Sequence, residues 1–247
     1  MGFRDHFSTQ SRQYADYRPS YPFELTKCLA RLAPGRRLAW DCATGQGQAA
    51  RLLVEDFQRV WATDASARQL DMAAPHPRID FFVAEAAASG LSDASVDLVT
   101  VAQAAHWFDL PPFYAEVRRV LRPNGILAIW GYGSCTLNDP TIARLVQRFE
   151  YDRMGPYWPE GRELIVAGYE TLPFPFQRVA TPPFELTAKW TREAFLGYVS
   201  SWSAVARYKE AHQDDPVADF EFELVQVWPD NYVMTVRWPM PLLVGRV

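Results

Sequence analysis

Short apolar runs recur along the first half of the chain, and most are followed by stretches whose apolar positions fall three or four residues apart. The first spacing suits buried strands and the second suits amphipathic helices. Strands are predicted over 37–41, 59–63, 79–83, 96–101 and 125–130, and helices over 23–32, 46–56, 66–73 and 110–121. The first of these helices rests on Phe23, Leu25, Leu29 and Leu32, and Pro34-Gly35 stops it. Pro75 and Pro77 end the helix at 66–73, and Leu121-Arg122-Pro123-Asn124-Gly125 reads as a helix stop and turn. Regular alternation of strand and helix argues for an α/β fold, doubly wound and mostly parallel, with helices on both faces of the sheet.

The pattern loosens at both ends. Ser11 to Tyr17 suits a short helix, and Arg18-Pro19-Ser20-Tyr21-Pro22 is a turn, because proline removes donors and restricts its predecessor. Residues 133–230 read as a helical cap inserted after the fifth strand. Leu137 to Phe149 is helical by its Ile142, Leu145, Val146 and Phe149 spacing, Phe174 to Val179 resembles a strand entry, Thr191 is an N-cap, and Asp215-Pro216 opens a further helix. The tail after Tyr232 alternates around Pro239 and Pro241 and should supply the last, antiparallel strands. The chain thus divides into a core at 1–132, a cap at 133–230, and strands at 231–247 that complete the core sheet.

Composition narrows the class. Of 247 residues, 49% are hydrophobic and 22% charged, which describes an ordinary globular chain. The net charge is −4 and no basic run stands out, which argues against nucleic acid as a partner. Cys28, Cys42 and Cys135 are scattered and odd in number, so a reducing compartment is expected and a structural metal is not. Met1 to His6 has no apolar signal core, and His6 replaces the hydroxyl residue that a myristoylated Gly2 would need. No apolar run approaches the roughly 20 residues of a membrane span. These features describe a soluble, cytoplasmic monomer or homodimer. Nine Trp, eleven Tyr and fifteen Phe are a heavy aromatic load, expected mainly in the core.

The candidate chemistry centres on Arg37-Leu38-Ala39-Trp40-Asp41-Cys42-Ala43-Thr44-Gly45-Gln46-Gly47, a strand running into a glycine turn and a helix start. Gly45 and Gly47 lack a Cβ, so the backbone can approach a ligand there. The helix N-terminus points its free N–H groups at the same place. Asp64 ends the second strand nineteen positions after Gly45, about where a carboxylate meets ribose hydroxyls, and Glu85 follows the third strand. Gly45-Gln46-Gly47-Gln48-Ala49-Ala50 fits the dinucleotide fingerprint as written, which keeps an NAD(P)-dependent oxidoreductase open. Asp41 favours S-adenosylmethionine instead, since a carboxylate before the glycines repels pyrophosphate and suits a cationic amino group. A non-catalytic cofactor-binding module is the third alternative.

Asp41-x-x-x-Gly45-x-Gly47 with Asp64 resembles the first two motifs of class I S-adenosylmethionine-dependent methyltransferases. Ala43 stands where that family often has another glycine. Further along, Ser95-Val96-Asp97-Leu98-Val99, Gln103-Ala104-Ala105-His106-Trp107-Phe108, Val120 to Gly125 and Trp130-Gly131-Tyr132 are similar to the branch grouped with trans-aconitate methyltransferase. Asn124 replaces a usual glycine at a turn that tolerates it. The resemblance implies a seven-stranded Rossmann-like sheet and direct methyl transfer to a small molecule such as a carboxylic acid. It assigns the cofactor to Asp41, Ala43, Thr44, Gly45, Gly47, Asp64, Ala65, Glu85, Ala86 and Gln103, with Tyr14 and Arg18 closing over it. His106, Trp107 and Tyr132 become the catalytic candidates. His106 has two readings, a proton acceptor or carboxylate anchor and a structural histidine. Arg153, Tyr132, Tyr157 and Arg207 are available to an acidic acceptor, and Trp158 and Trp202 to an apolar one.

Overall fold

The computed structural model describes residues 19–247. The Ser11–Tyr17 helix, Tyr14 and Arg18 fall outside the described residues. Helix α1 (Phe23–Leu32) leads into β1 (Leu38–Cys42), α2 (Gln48–Leu53), β2 (Arg59–Asp64), α3 (Ala67–Leu70), β3 (Ile79–Val83), β4 (Val96–Ala102), α4 (Leu110–Val120) and β5 (Leu121–Trp130). The cap contributes β6 (Thr136–Leu137), α5 (Pro140–Gln147), α6 (Arg162–Val166), β7 (Gln177–Arg178), β8 (Phe184–Trp190), α7 (Arg192–Ser200), α8 (Ser203–His212) and α9 (Pro216–Val225). Strands β9 (Met234–Met240) and β10 (Leu242–Arg246) follow.

The main sheet has seven strands in the order β3-β2-β1-β4-β5-β10-β7. Strands β1 to β5 pair in parallel, and β10 runs antiparallel to β5, with Val244 opposite Ala128. The order reverses between β1 and β4, the point at which such sheets open a ligand crevice at their carboxyl ends. One face buries Leu25, Leu29, Ala39, Leu98, Ala128 and Trp130, and the other buries Trp40, Val99, Phe113, Val117, Leu127 and Ile129. As expected for most of the aromatic residues, Trp40, Trp130, Trp228 and Trp238 are fully buried.

Several elements differ from the sequence expectation. The helix expected at 66–73 is the single turn α3, since Pro75 and Pro77 leave little chain to continue it. Strand β5 starts at Leu121, and the predicted turn is a bulge inside it. Val96 pairs with Leu121 and Leu98 with Ile126, and Asn124 takes the left-handed conformation at φ 65°. The buried Asp97 carboxylate ties the bulge to the start of β1. It accepts from the N–H groups of Arg37 and Leu38 at 2.8 and 3.1 Å and pairs with Arg122 at 3.0 Å. The helix expected at 137–149 is α5, which continues as a π-helix over Arg148–Arg153.

The cap is not wholly helical. Strands β6, β9 and β8 form an antiparallel sheet in which Leu186 pairs with Trp238. The tail therefore divides, a correction to its assignment to the core sheet. Met234–Met240 belongs to the cap sheet, and only Leu242–Arg246 joins the core. Conversely, Gln177–Arg178 of the cap segment forms the outer strand of the core sheet. Burial explains the split. Met234, Val236, Trp238 and Met240 alternate inward against the cap helices, while Leu243 and Val244 pack on the core. Thr191 and Asp215 cap α7 and α9 as expected, accepting from the N–H groups of Ala194 and Val217.

Candidate active site

Strand β1 delivers Asp41 to the rim of the sheet and buries it almost completely, at 1% exposure. Thr100, its neighbour on β4, donates to one carboxylate oxygen at 2.8 Å, and Thr44 donates to the other. No cationic side chain pairs with it among the described residues. Burial outweighs both hydroxyls and raises the carboxyl to about pKa 6. The group is thus a desolvated carboxylate without a counter-ion.

The turn that follows is built from left-handed residues, with Ala43 at φ 55°, Gly45 at 57° and Gly47 at 82°. A Cβ on Gly47 would lie 3.0 Å from the Phe81 ring, so both its backbone and its surroundings require glycine. At Gly45 the situation is different, because a Cβ would meet only Gln69 at 4.0 Å. The space over Gly45 is open, and a ligand can approach its backbone. Ala43 holds a conformation that costs an L-residue roughly 1–2 kcal/mol, which accounts for a glycine being common at that position in the resembled family.

Asp64 ends β2 beside this turn. One oxygen accepts from the Gly45 N–H and the other from the Ser66 N–H, each at 2.9 Å. The carboxylate holds the turn and begins α3. Ala65 is half-buried beside it, while Glu85 is exposed after β3 and Ala86 half-buried. Asp64→Ala is expected to weaken S-adenosylhomocysteine binding at least about tenfold, since charge-assisted hydrogen bonds are worth about 1.5–3 kcal/mol. Calorimetry beside Asp64→Asn, which keeps one acceptor for the turn, separates ligand contact from turn support.

The next two strands end in structural latches. Gln103, at φ 59°, donates its amide to the Tyr132 carbonyl at 2.9 Å and accepts from the Tyr132 N–H at 3.1 Å. Both ends of its side-chain amide are committed to closing the gap between β4 and β5. Tyr132 is buried with its ring against Tyr21, 6.4 Å between centroids. The segment before α1 reaches this region, where Gln48 at the start of α2 donates to the Pro19 carbonyl at 3.2 Å.

His106 and Trp107 lie on a one-turn 3-10 helix directly after β4, with their rings 4.5 Å apart. The cap covers His106. Tyr169 places its hydroxyl 3.4 Å from Nδ1, and a Cβ on Gly161 would lie 3.3 Å from the imidazole ring. Burial lowers the imidazole to about pKa 4. In the ligand-free protein the ring is therefore held toward its neutral form near pH 7. Burial likewise pushes the Cys42 and Cys135 thiols well above their usual range, so neither supplies a thiolate.

Two of the residues expected to meet an acidic acceptor have partners within the cap. Arg153 pairs with Asp219 at 2.8 Å, and the Tyr157 hydroxyl bonds the His212 imidazole. Trp202 and Trp158 pack together at 5.3 Å inside the cap, with Trp202 against Phe149. Sequence reading missed Thr100 and Tyr169, which meet Asp41 and His106 only once β4 lies beside β1 and the cap folds over the rim. A cleft of about 640 Å³ lies in the cap, lined by residues that include Arg192, Ser200, Asp215 and Asp230, away from the strand-end rim. Among the described residues no group of His, Cys, Asp and Glu can hold a metal ion, and no helix is long and apolar enough to cross a membrane.

Comparison with known proteins is consistent with this geometry. The profile of the methyltransferase domain matches residues 40–129, from β1 through β5. The chain is 31% identical to a protein of Dictyostelium discoideum named as a proposed methyltransferase, covering 99% of this chain and 95% of that one. It is 34% identical to an uncharacterized methyltransferase of Mycobacterium tuberculosis, covering 80% and 76%. A solved structure from Anaeromyxobacter dehalogenans, named as a proposed type II methyltransferase, superposes with a TM-score of 0.87 at 41% identity, covering 93% of this chain and 98% of that one.

Proposed function

The chain belongs to the class I S-adenosylmethionine-dependent methyltransferases, and from that premise we propose that it transfers the sulfonium methyl of S-adenosylmethionine directly to a small molecule. The observation that carries the cofactor assignment is Asp41, a buried carboxylate without a counter-ion beside a turn open over Gly45. A cationic amino group satisfies that carboxylate, whereas a pyrophosphate would be repelled by it. This disfavours the dinucleotide reading, although the glycine spacing fits both.

On this reading Asp41 and the backbone around Ala43, Thr44, Gly45 and Gly47 hold the methionine part, and Asp64 accepts from the ribose hydroxyls. Ala65, Glu85 and Ala86 border the adenine, while Gln103 supports the pocket by fixing the ends of β4 and β5. Tyr14 and Arg18, outside the described residues, are proposed to close over the cofactor. Bound there, the cofactor supplies an already electrophilic methyl group, so the protein's part is alignment and exclusion of water. His106, Trp107 and Tyr132 emerge after β4 and β5 and face the acceptor side. A neutral imidazole orients the acceptor by hydrogen bonding, and a carboxylate acceptor needs no proton removed before attack.

Residues 133–230 cap the acceptor, which we take to be a small carboxylic acid, in keeping with the resemblance to the trans-aconitate methyltransferase group. A cytoplasmic monomer or homodimer acting without nucleic acid or membrane completes the proposal. Calorimetry with S-adenosylhomocysteine and with NADH tests it, followed by radiolabelled methyl transfer to a panel of small acids and phenols. Binding of the first ligand and turnover are expected. NADH binding alone would overturn the reading, and cofactor binding with no turnover on any acceptor would favour a non-catalytic module.

A further inference from the structure

We propose that Arg162, oriented by Glu150 and Trp158, grips an oxoanion on the methyl acceptor; this deepens the methyltransferase reading and rests on it. Arg162 opens α6, directly after Gly161, whose left-handed backbone at φ 86° lays this segment against His106. Its Nη2 donates to the Glu150 carboxylate and lies 3.5 Å from the Ser134 hydroxyl, just beyond the end of β5. The guanidinium sits 3.9 Å from the Trp158 ring centroid, and the Trp158 indole in turn donates to the Glu150 carbonyl at 3.0 Å. The segments after β4 and β5 and the cap therefore converge on one cation.

The pair differs from the other ion pairs of the cap. Arg148, Arg153, Arg192 and Arg237 meet carboxylates that are 44%, 71%, 78% and 51% exposed. Such surface pairs contribute little. Glu150 is 2% exposed, while Arg162 keeps 16%, so the carboxylate is shut in and the guanidinium remains reachable. Glu150 sits on the π-helix at Arg148–Arg153, a distortion that recurs at functional sites. Its charge is shared further, because Ser134 donates to it at 2.6 Å and accepts from the Tyr151 hydroxyl at 2.7 Å. Among the described residues, only Nη2 of Arg162 donates. The remaining N–H groups form a planar edge, held in place by the ion pair and the indole, and that edge matches a carboxylate or a phosphate.

Calorimetry on the protein saturated with S-adenosylhomocysteine tests this. Its probes are propane-1,2,3-tricarboxylate, phenyl phosphate and the neutral propane-1,2,3-tricarboxamide. At least one anion is expected to bind and the amide is not, and the anion that binds identifies the source of the oxoanion. Arg162→Lys retains a charge opposite Glu150 but loses the fork, and should weaken the anion about tenfold or more. Glu150→Gln keeps a carbonyl acceptor that orients Nη2 but removes the opposing charge, so it should tighten the anion, a change that a purely structural ion pair would not produce. Unchanged anion affinity in Arg162→Lys, weaker binding in Glu150→Gln, or equal binding of the amide would overturn the proposal. So would the absence of anion binding to cofactor-loaded protein, which leaves the methyltransferase reading standing. Failure of S-adenosylhomocysteine to bind at all would remove that reading, and this one with it.

Discussion

Asp41→Asn is expected to weaken S-adenosylhomocysteine binding about 10- to 100-fold at pH 7.5, from the roughly 1.5–3 kcal/mol of a hydrogen bond to a charged group. It should also stabilise the ligand-free fold at that pH. Both effects follow from one buried group. Its carboxyl titrates at about 6 instead of 3.8 because burial disfavours the charge more than Thr44 and Thr100 favour it. A raised carboxyl pKa means that the folded state binds the proton more tightly than the unfolded chain. The contribution to stability is therefore present at acid pH and is lost as pH rises from about 4 through 6. Above that range the ligand-free protein carries an unpaired buried charge, which a cationic ligand relieves. Affinity should accordingly rise with pH up to about 6 and then level off, with proton release on binding below the plateau. Calorimetry in buffers of different ionisation enthalpy measures the proton count directly. In Asp41→Asn the pH dependence should vanish. A wild-type profile in that variant would mean that another group receives the cation.

His106→Ala is expected to lower turnover roughly 10²-fold, at the low end of what a positioned proton-handling or orienting group supplies, while S-adenosylhomocysteine affinity stays near wild type. The separation follows from position, since His106 follows β4 under the cap, whereas the proposed cofactor contacts at Asp41, Gly45, Gly47, Asp64 and Glu85 lie at the ends of β1 to β3. The depressed imidazole pKa adds a signature. A group held at about 4 in the fold and 6.5 in the open chain stabilises fully above pH 6.5, and that stability falls as acid approaches 4. Turnover should therefore show no His106 titration near neutrality. A rate that rises through pH 6.5 in wild type and loses that rise in the variant would show an exposed, titrating base in its place. Equal losses of turnover and cofactor affinity would show that the imidazole only supports the fold.

The core was legible because its signals are local. Five apolar runs separated by helical spacing fix the parallel strands, and the glycine turn, Asp41 and Asp64 are readable because strand ends deliver them to one rim. The bulge in β5 was not legible, because Arg122-Pro123-Asn124-Gly125 reads locally as a turn, and the Asp97 carboxylate that pairs with Arg122 is bound to the backbone of Arg37 and Leu38, about sixty positions away. Strand β8 did carry a signal. Phe184, Leu186, Ala188 and Trp190 alternate with Glu185, Thr187 and Lys189, the period of a half-buried strand, within a segment read as helical. Arg162 and Glu150 carried none. Twelve positions apart on separate turns, they acquire meaning only when the π-helix and α6 meet over the rim.

The division of the tail between two sheets has a thermodynamic consequence. Pro241 alone separates β9, the central strand of the cap sheet, from β10, which is threaded between β5 and β7 in the core. Gln177–Arg178, from within the cap segment, closes the far edge of the core sheet in return. Unravelling the cap sheet pulls on β10 and strips the ladder beside β5, and melting the outer core frees both ends of the cap. One buried cluster also joins Leu25, Ala128 and Trp130 of the core to Phe149, Trp202 and Trp238 of the cap, so cap and core are expected to unfold together, as a single calorimetric transition.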